Sequence, residues 1–133
     1  MKKTIMIVDD SILIRNEIGK ILEGTDYEVV CQCRSGEEAL ETYEKIMPDI
    51  VTMDIILPGI DGLETSKRIL NKHPKAGIVI ISSLVYDKTL QVVKELGPAI
   101  PFVFKPINKT FFIESLKKVS INLESSSQIH STE

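Results

Sequence analysis

The stretch IMIVDDS, residues 5–11, joins four consecutive apolar residues to two adjacent carboxylates. An apolar run of this kind is typical of a strand that is buried on both faces of a parallel sheet. Two like charges ~4 Å apart repel by about 4 kcal/mol at an effective dielectric constant of ~20, and burial increases that repulsion. The side chains of Asp9 and Asp10 must therefore reach water or share a cation at the end of the first predicted strand.

Four further apolar runs follow along the chain, and segments with helical spacing alternate with them. The runs are short and rich in Ile and Val, whereas the segments after them place apolar residues three or four positions apart. This alternation predicts an α/β fold, a parallel sheet with helices on both faces. The second run is the most mixed in polarity, so we expect it at an edge. The predicted strands are 4–8, 28–33, 49–53, 77–81 and 100–104.

The composition is typical of one globular domain. The chain has 133 residues, of which 43% are hydrophobic and 26% charged, with a net charge of −3. There is no basic patch for nucleic acid, no signal peptide and no apolar run of the ~18 residues that span a membrane, so we expect a cytoplasmic protein. Cys31 and Cys33 are interpreted as small buried hydrophobic residues. The Ser-rich end predicts a folded domain over 1–120 and a disordered tail over 121–133.

Polar residues follow four of the five predicted strands. Asp9 and Asp10 end the first strand, Asp54 the third, Ser82 the fourth and Lys105 the fifth. In open parallel sheets, ligands bind beyond the carboxyl ends of the strands. The sequence therefore predicts one site that combines three acids, a hydroxyl and an amine.

These residue types favour phosphoryl chemistry with a hard cation. Clustered carboxylates without Cys or His ligands suit Mg²⁺, which would also relieve the repulsion between Asp9 and Asp10. A lysine and a serine hydroxyl can hold phosphoryl oxygens. A carboxylate can itself be the nucleophile and form an aspartyl phosphate. Asp54 is the acid best placed for that role, because it lies centrally among the contributors.

Each of these residues, taken singly, also has an ordinary structural explanation. Asp10 or Ser11 can cap the first helix, and Asp54 can stabilise the loop that follows it. Ser82 can bond to backbone at a strand end, and Lys105 can be a solvated surface residue. Their joint placement at the ends of neighbouring strands is what favours a functional site.

The chain resembles the receiver domain of two-component response regulators, especially the single-domain CheY-like chemotaxis regulators. The resemblance runs over about residues 3–119 and rests on the motifs IVDDS, SGEEAL, PDIVTMDI, LPGIDGLE, IISS and FKP. It implies a doubly wound, flavodoxin-like parallel sheet of five strands in the order 2-1-3-4-5, with five helices; the strand order comes from the resemblance alone. The implied protein is a signalling receiver that catalyses only its own phosphotransfer and autodephosphorylation.

The resemblance also implies the roles of the acidic residues. Asp54 is identified with the phosphoacceptor, and a histidine kinase would supply the phosphoryl group from a phosphohistidine. Asp9 and Asp10 correspond to the acidic pair that helps to hold Mg²⁺, together with Asp54 and the backbone carbonyl of Ile56.

The remaining family positions are implied to form a switch. Ser82 corresponds to the hydroxyl that turns toward the phosphoryl group, Lys105 to its lysine partner, and the Lys105–Pro106 bond to the family's cis peptide. Phe102 occupies the aromatic switch position. We expect the output surface for a downstream protein on the fourth helix, fifth strand and fifth helix, with an exposed Phe111 as its anchor.

Two departures from the family pattern carry expectations of their own. Segment 97–105 is one residue longer than usual and contains Pro98 and Pro101, which predicts a bulge or edge irregularity in the fifth strand. Phe102 lacks the hydroxyl of a tyrosine, so switching must depend on packing.

Several alternatives remain open to different degrees. A magnesium-dependent phosphohydrolase is expected to carry D-x-D after its first strand, where this chain has D-D-S. A flavodoxin-like cofactor binder is disfavoured because two acids would repel a flavin phosphate. A phosphorylation-independent interaction domain is expected to have lost part of the acid–lysine set, which is intact here. A phosphorelay intermediate and a phosphate sink stay indistinguishable from a chemotaxis regulator.

Overall fold

Strands and helices alternate along the whole chain in the computed structural model. The structure describes residues 2–84 and 87–131, and it describes side chains over 2–84 and 88–124. The elements are β1 (Lys3–Val8), α1 (Ile12–Leu22), β2 (Tyr27–Cys33), α2 (Gly36–Ile46), β3 (Ile50–Met53), α3 (Gly62–Lys72), β4 (Gly77–Ser82), α4 (Asp87–Leu96), β5 (Phe102–Phe104) and α5 (Lys109–Ser131).

The five strands form one parallel sheet in the order β2-β1-β3-β4-β5. This confirms the flavodoxin-like order that the resemblance implied, and β2 lies at an edge as its mixed polarity predicted. From β1 the chain proceeds to β2 on one side and then returns to β3 on the other. The order therefore reverses between β1 and β3, which is where ligands bind in such sheets.

Helices cover both faces of the sheet, so the core has two halves. The side chains of β1 alternate between them: Ile5 and Ile7 belong to one half, and Met6 and Val8 to the other. Helices α1 and α5 pack on the first half, and α2, α3 and α4 pack on the second. Both faces of the central strands are thus buried from solvent, which explains their continuous apolar runs.

Strand β2 contains one residue more than its partner β1. Ile5 pairs with Val29 and Met6 pairs with Cys31, so Val30 is the extra residue of a bulge. The bulge changes which face the following residues occupy. Val29 packs with the α1–α5 half of the core, whereas Cys31 and Cys33 both pack with the other half. The two cysteines therefore share one face; Cys33 is buried, as the sequence predicted, whereas Cys31 is only partly buried.

The bulge that the sequence predicted in β5 is absent, and the strand begins at Phe102 rather than at the predicted Ile100. Ile80, Ile81 and Ser82 of β4 pair in regular order with the three residues of β5. The amide of Ile80 also donates to the carbonyl of Pro101 at 3.0 Å. The longer segment is accommodated before the strand, where the amide of Ile100 closes a turn onto the carbonyl of Gly97. Both added prolines therefore precede the strand, and Pro101 takes part in the ladder only through its carbonyl, so neither proline removes a donor from it.

Polar side chains cap the helices that begin near the carboxyl edge of the sheet. Ser11 caps α1, Ser35 caps α2 and Asp61 caps α3, each accepting a hydrogen bond from the amide three residues later. Asn108 accepts one from the amide of Phe111 at 2.9 Å at the start of α5. Because Ser11 supplies the cap of α1, the side chain of Asp10 is not needed for that structural role.

Helix α5 is longer than the sequence predicted. It extends to Ser131, whereas the sequence predicted a disordered tail from residue 121. The core stripe continues past Val119 to Leu123, which is partly buried against the α1–α5 half of the core. Ile121, in contrast, is 60% exposed. Over the residues that the structure describes, no helix combines the length and apolar character needed to cross a membrane.

Candidate functional site

The ends of β1, β3 and β5 bring four predicted site residues together. The amide of Asp9 continues the ladder to Cys33 of β2, and the amide of Asp54 continues it to Val8 of β1. One carboxylate oxygen from each of Asp9, Asp10 and Asp54 lies within 4.8 Å of the other two. The ammonium of Lys105 lies 2.8 Å from Asp9 Oδ2 and 3.2 Å from Asp54 Oδ2. The three acids and the lysine therefore form a single cluster, as their positions at strand ends predicted.

The two adjacent acids have different surroundings. Asp9 is only 2% exposed, and its Oδ1 accepts a hydrogen bond from the amide of Ser11 at 2.9 Å while its Oδ2 contacts Lys105. Asp10 is exposed to solvent. This arrangement reduces the repulsion between them without removing it: the carboxylate of Asp9 is paired with Lys105, and that of Asp10 reaches water.

Asp54 is buried at the centre of the cluster, and its Oδ1 accepts a hydrogen bond from the amide of Ile55 at 2.8 Å. Burial, and next the charge of Asp9, raise the pKa of Asp54 above its ordinary value, although Lys105 opposes the shift. Burial by itself would lower the pKa of Lys105, but its hydrogen bond to Asp9 and the charges of Asp54 and Asp9 raise it overall. Lys105 therefore remains charged beside the acids.

The donor set of this cluster fits a hard divalent cation. Three carboxylates face one ammonium group, so the cluster has an excess of negative charge. Mg²⁺ prefers oxygen ligands and is bound by one or two carboxylates plus water or phosphate oxygens. Asp10 is exposed, which leaves its oxygens open to an ion and to that ion's water molecules.

The loop after Asp54 carries Ile56, the residue whose carbonyl was predicted to complete the cation site. Ile56 is exposed, and the loop is anchored on both sides of it. The amide of Gly62 donates to the carbonyl of Ile55 at 2.7 Å. The carboxylate of Glu37, at the start of α2, accepts a hydrogen bond from the amide of Ile60 at 2.8 Å. The ligand role of the Ile56 carbonyl stays a prediction, but its loop is held in place.

Ser82 lies at the end of β4 and is almost completely buried. Its Oγ accepts a hydrogen bond from the amide of Leu84 at 3.2 Å, which leaves the hydroxyl proton available to another acceptor. The amide of Lys105 donates to the carbonyl of Ser82 at 3.0 Å, so these two site residues are joined by backbone. The Lys105–Pro106 peptide bond is cis, as the resemblance implied.

Three phenylalanines lie on the side of the domain formed by β5 and α5. Phe102 is partly buried against the core, and its ring centroid lies 4.8 Å from that of Phe104, which is 42% exposed. Phe111 is 48% exposed, as predicted, and lines a groove of about 450 Å³ with Phe102, Lys118 and Ile121. Their functional roles stay predictions.

Sequence reasoning missed two residues that contact the site's backbone. One is Glu37, which the sequence singled out only as part of the motif SGEEAL. The other is Arg15 of α1, which is 7% exposed and donates from Nη1 to the carbonyl of Asp9 at 2.7 Å. A signal was available for Arg15, because it lies three and seven residues before Ile18 and Leu22, which are the buried positions of α1. A charged residue on a core-facing stripe indicates a buried polar contact.

The fold and the acidic cluster together define a flavodoxin-like protein with a site that can hold a metal ion. The sequence model of the response regulator receiver domain matches residues 5–117. The chain therefore belongs to the response regulator receiver domain family, the receivers of two-component signalling.

Known proteins similar to this chain agree with that assignment. The chemotaxis protein CheY of Listeria monocytogenes is 34% identical over 116 residues, which cover 87% of this chain and 97% of that protein. The CheY protein of Thermotoga maritima is 35% identical over 120 residues, covering 90% and 99%. Among solved structures, the CheX-CheY-BeF3-Mg+2 complex from Borrelia burgdorferi matches with a TM-score of 0.82 and 25% identity, over 88% of each chain.

Proposed function

We propose that this receiver accepts a phosphoryl group on Asp54 from the phosphohistidine of a histidine kinase. Mg²⁺ would be held by Asp9, Asp10, Asp54 and the backbone carbonyl of Ile56. The observation that carries the proposal is the surroundings of Asp54, a buried carboxylate 3.2 Å from the Lys105 ammonium and within 4.8 Å of two further acids. A carboxylate in such a cluster can act as the nucleophile while the other groups handle the charge.

In the transfer, an oxygen of Asp54 attacks the phosphorus, and the bond from phosphorus to the histidine nitrogen breaks with its electrons returning to the imidazole. Bound Mg²⁺ supplies positive charge for the phosphoryl oxygens. Lys105 adds a second positive charge, and Ser82 can donate its hydroxyl proton to a phosphoryl oxygen while still accepting from Leu84. Hydrolysis by water returns the Asp54 carboxylate and releases inorganic phosphate, so the protein catalyses only its own modification.

The test is phosphorylation by a small donor, acetyl phosphate, in the presence of Mg²⁺. Intact-mass spectrometry is expected to show one added phosphoryl group on the wild type and none on Asp54→Ala. The matched control is Asp26→Ala, which removes an exposed acid outside the cluster and should be labelled like the wild type. Undiminished labelling of Asp54→Ala would refute the assignment. An unlabelled wild type would favour the alternative, an interaction domain that works without phosphorylation.

We also propose that the phosphorylated form signals through the face formed by α4, β5 and α5, to a downstream protein. Support comes from the register of the sheet, which pairs Ser82 with Phe104 and Ile80 with Phe102. A hydroxyl that moves toward a phosphoryl group vacates space beside these rings, and packed side chains respond in discrete steps. Phe111 lines a surface groove together with Phe102, and its exposed ring offers an apolar anchor for a partner helix.

Chemotaxis is the pathway that the named relatives favour, because the Listeria and Thermotoga proteins are chemotaxis proteins. A phosphorelay intermediate and a phosphate sink remain the alternatives. The output face can be tested before a target is known. NMR shift changes on phosphorylation by acetyl phosphate should concentrate at residues 82–93 and 102–112, and Phe111→Ala should leave Asp54 phosphorylation intact while weakening binding of the target. Changes confined to α1 and α2 would refute the proposed face.

A further inference from the structure

Arg15 is a buried cation whose contacts lead to the backbone of the acidic pair. Its Nη1 donates to the carbonyl of Asp9 at 2.7 Å, a bond that is itself buried. Its Nε donates to Oε1 of Gln32 on β2 at 3.1 Å. The guanidinium plane is therefore fixed at two points, one directly after β1 and one on the neighbouring strand β2. Burying a charge is costly unless the charged group is well hydrogen-bonded. These two hydrogen bonds are therefore what allows the Arg15 guanidinium to be buried beside Asp9.

The contact completes the restraint of Asp9. The Asp9 amide donates to Cys33, its two carboxylate oxygens accept from Ser11 and Lys105, and its carbonyl accepts from Arg15. The carbonyl is the atom that matters here, because it belongs to the peptide unit shared with Asp10. Peptide units are planar, so fixing the carbonyl also fixes the amide of Asp10 and limits where its side chain can point.

We propose that Arg15 is a positioning residue, which aims the exposed carboxylate of Asp10 at the cation by holding the carbonyl of Asp9. The inference rests on the Mg²⁺ site of the proposed function and adds a residue outside the ligand set. It concerns orientation rather than charge. As a charge, Arg15 repels a divalent cation, so removing it would tighten binding; as a positioning group, its removal weakens binding. The two roles therefore predict changes of opposite sign.

The variants separate these roles. Arg15→Met removes the charge and both hydrogen bonds. Arg15→Lys keeps the charge but lacks the planar fork, and Gln32→Leu removes only the second tether. Arg68→Met is the matched control, because it removes one positive charge from an exposed arginine of α3 whose salt bridge is with Glu64, outside the acidic cluster. The probe is Mg²⁺ alone, titrated by calorimetry with the full chain.

Arg15→Met is expected to weaken Mg²⁺ binding by about tenfold or more, the usual loss when a group that orients a metal ligand is removed. Arg15→Lys and Gln32→Leu should show intermediate losses, and Arg68→Met should stay within about twofold of the wild type. Without metal, the ¹⁵N shift of the Asp10 amide should move in Arg15→Lys, because the hydrogen bond to its peptide carbonyl is altered. A general packing defect would instead move amides throughout α1.

Wild-type or tighter Mg²⁺ binding by Arg15→Met would overturn the inference, and so would shifts spread over α1 without a distinct change at Asp10. If Arg15→Met fails to fold, Arg15→Lys and Gln32→Leu decide the matter by the same two measurements. The proposed function fails separately: a wild type that binds Mg²⁺ but is never phosphorylated on Asp54 would refute the phosphoacceptor and leave Arg15 as a positioning residue. A wild type that binds no Mg²⁺ would refute both.

Discussion

Two side chains outside the acidic cluster, Arg15 and Glu37, contact backbone groups near the site. The exposed carboxylate of Glu37 accepts a hydrogen bond from the amide of Ile60 and so holds the loop that carries Ile56. That loop also makes a tight turn at Gly59, where φ is 77° and a Cβ atom would clash with the Glu37 carboxylate. The backbone conformation therefore favours glycine here, and a larger residue would displace the Glu37 carboxylate from its contact with the loop.

The contact of Glu37 predicts a pH dependence. Hydrogen bonding from the backbone amide of Ile60 lowers the pKa of Glu37 below the ordinary 4.5. A lowered pKa in the folded state means that the contact stabilises the loop above pH 4.5 and is lost as the pH falls through the folded-state pKa. We expect the Ile60 amide shift, followed by NMR, to titrate with a midpoint below 4.5. The titration should disappear in Glu37→Gln; a midpoint at or above the ordinary value would show that the bond is not formed.

The residues that the sequence could predict are those whose type and place along a strand are enough. Asp54 and Lys105 were found because each ends an apolar run, and parallel strands bring those ends to one edge. Arg15 and Glu37 were missed because each contacts a main-chain atom of another segment. A carbonyl or an amide looks the same at every position of a sequence, so the partner of such a side chain is visible only in the folded chain.

At the scale of elements, the alternation of strands and helices and the edge position of β2 followed from the hydrophobic pattern, and the strand order came from the resemblance. The irregularities of the strands followed from neither. The sequence predicted a bulge in β5 from its prolines, but the turn before the strand took up the extra residue. The bulge that does exist lies in β2, where nothing in the local sequence distinguishes Val30 from its neighbour Val29. Its position is fixed by packing, since residues before and after it must face different halves of the core.

The last part of α5 allows a prediction about where the folded domain ends. Leu123 packs near the start of β4, where a Cβ atom on Gly77 would lie 3.3 Å from Leu123 Cδ1. We expect Leu123→Ala to lower the free energy of unfolding by about 1–2 kcal/mol, less than for a fully buried leucine. Ile121→Ala is the control and should change it by less than about 0.5 kcal/mol, because Ile121 is 60% exposed. Chemical denaturation measures both; equal effects would show that the helix end contributes no packing.

Truncation addresses the same boundary. Deleting residues 125–133 is expected to leave the melting temperature within experimental error, because that segment is polar and offers little apolar surface to bury. Calorimetry of the full and truncated chains makes the comparison. A drop of several degrees would show that these residues dock on the domain.

For the molecule as a whole, the acidic cluster couples stability to the cation. Without metal, repulsion among the acids opposes folding, since Lys105 is the cation that contacts Asp9 and Asp54. We expect Asp10→Asn to raise the metal-free melting temperature, with a gain of up to about 1 kcal/mol for an exposed group. Mg²⁺ at tenfold its dissociation constant should stabilise the wild type by about 1.4 kcal/mol and the variant by much less.

Thermal melts with and without Mg²⁺ check both statements. Asp26→Asn, which neutralises an exposed acid outside the cluster, should show the wild-type response to the cation. A lower metal-free melting temperature for Asp10→Asn would mean that the carboxylate of Asp10 makes a stabilising contact, and the account of the cluster as a repulsive one would be wrong.

The bulge at Val30 has a consequence for how copies of the molecule meet. The sheet ends in two open edges, and an open edge can template the addition of a foreign strand. At one end β5 offers only the three residues of Phe102–Phe104, and at the other Val30 divides β2 into two runs of three. Neither edge presents a row long enough for polymerisation strand by strand. The edges of the sheet are therefore poor sites for strand addition between copies of the chain, and the helices that cover its two faces remain as surfaces for contacts with other molecules.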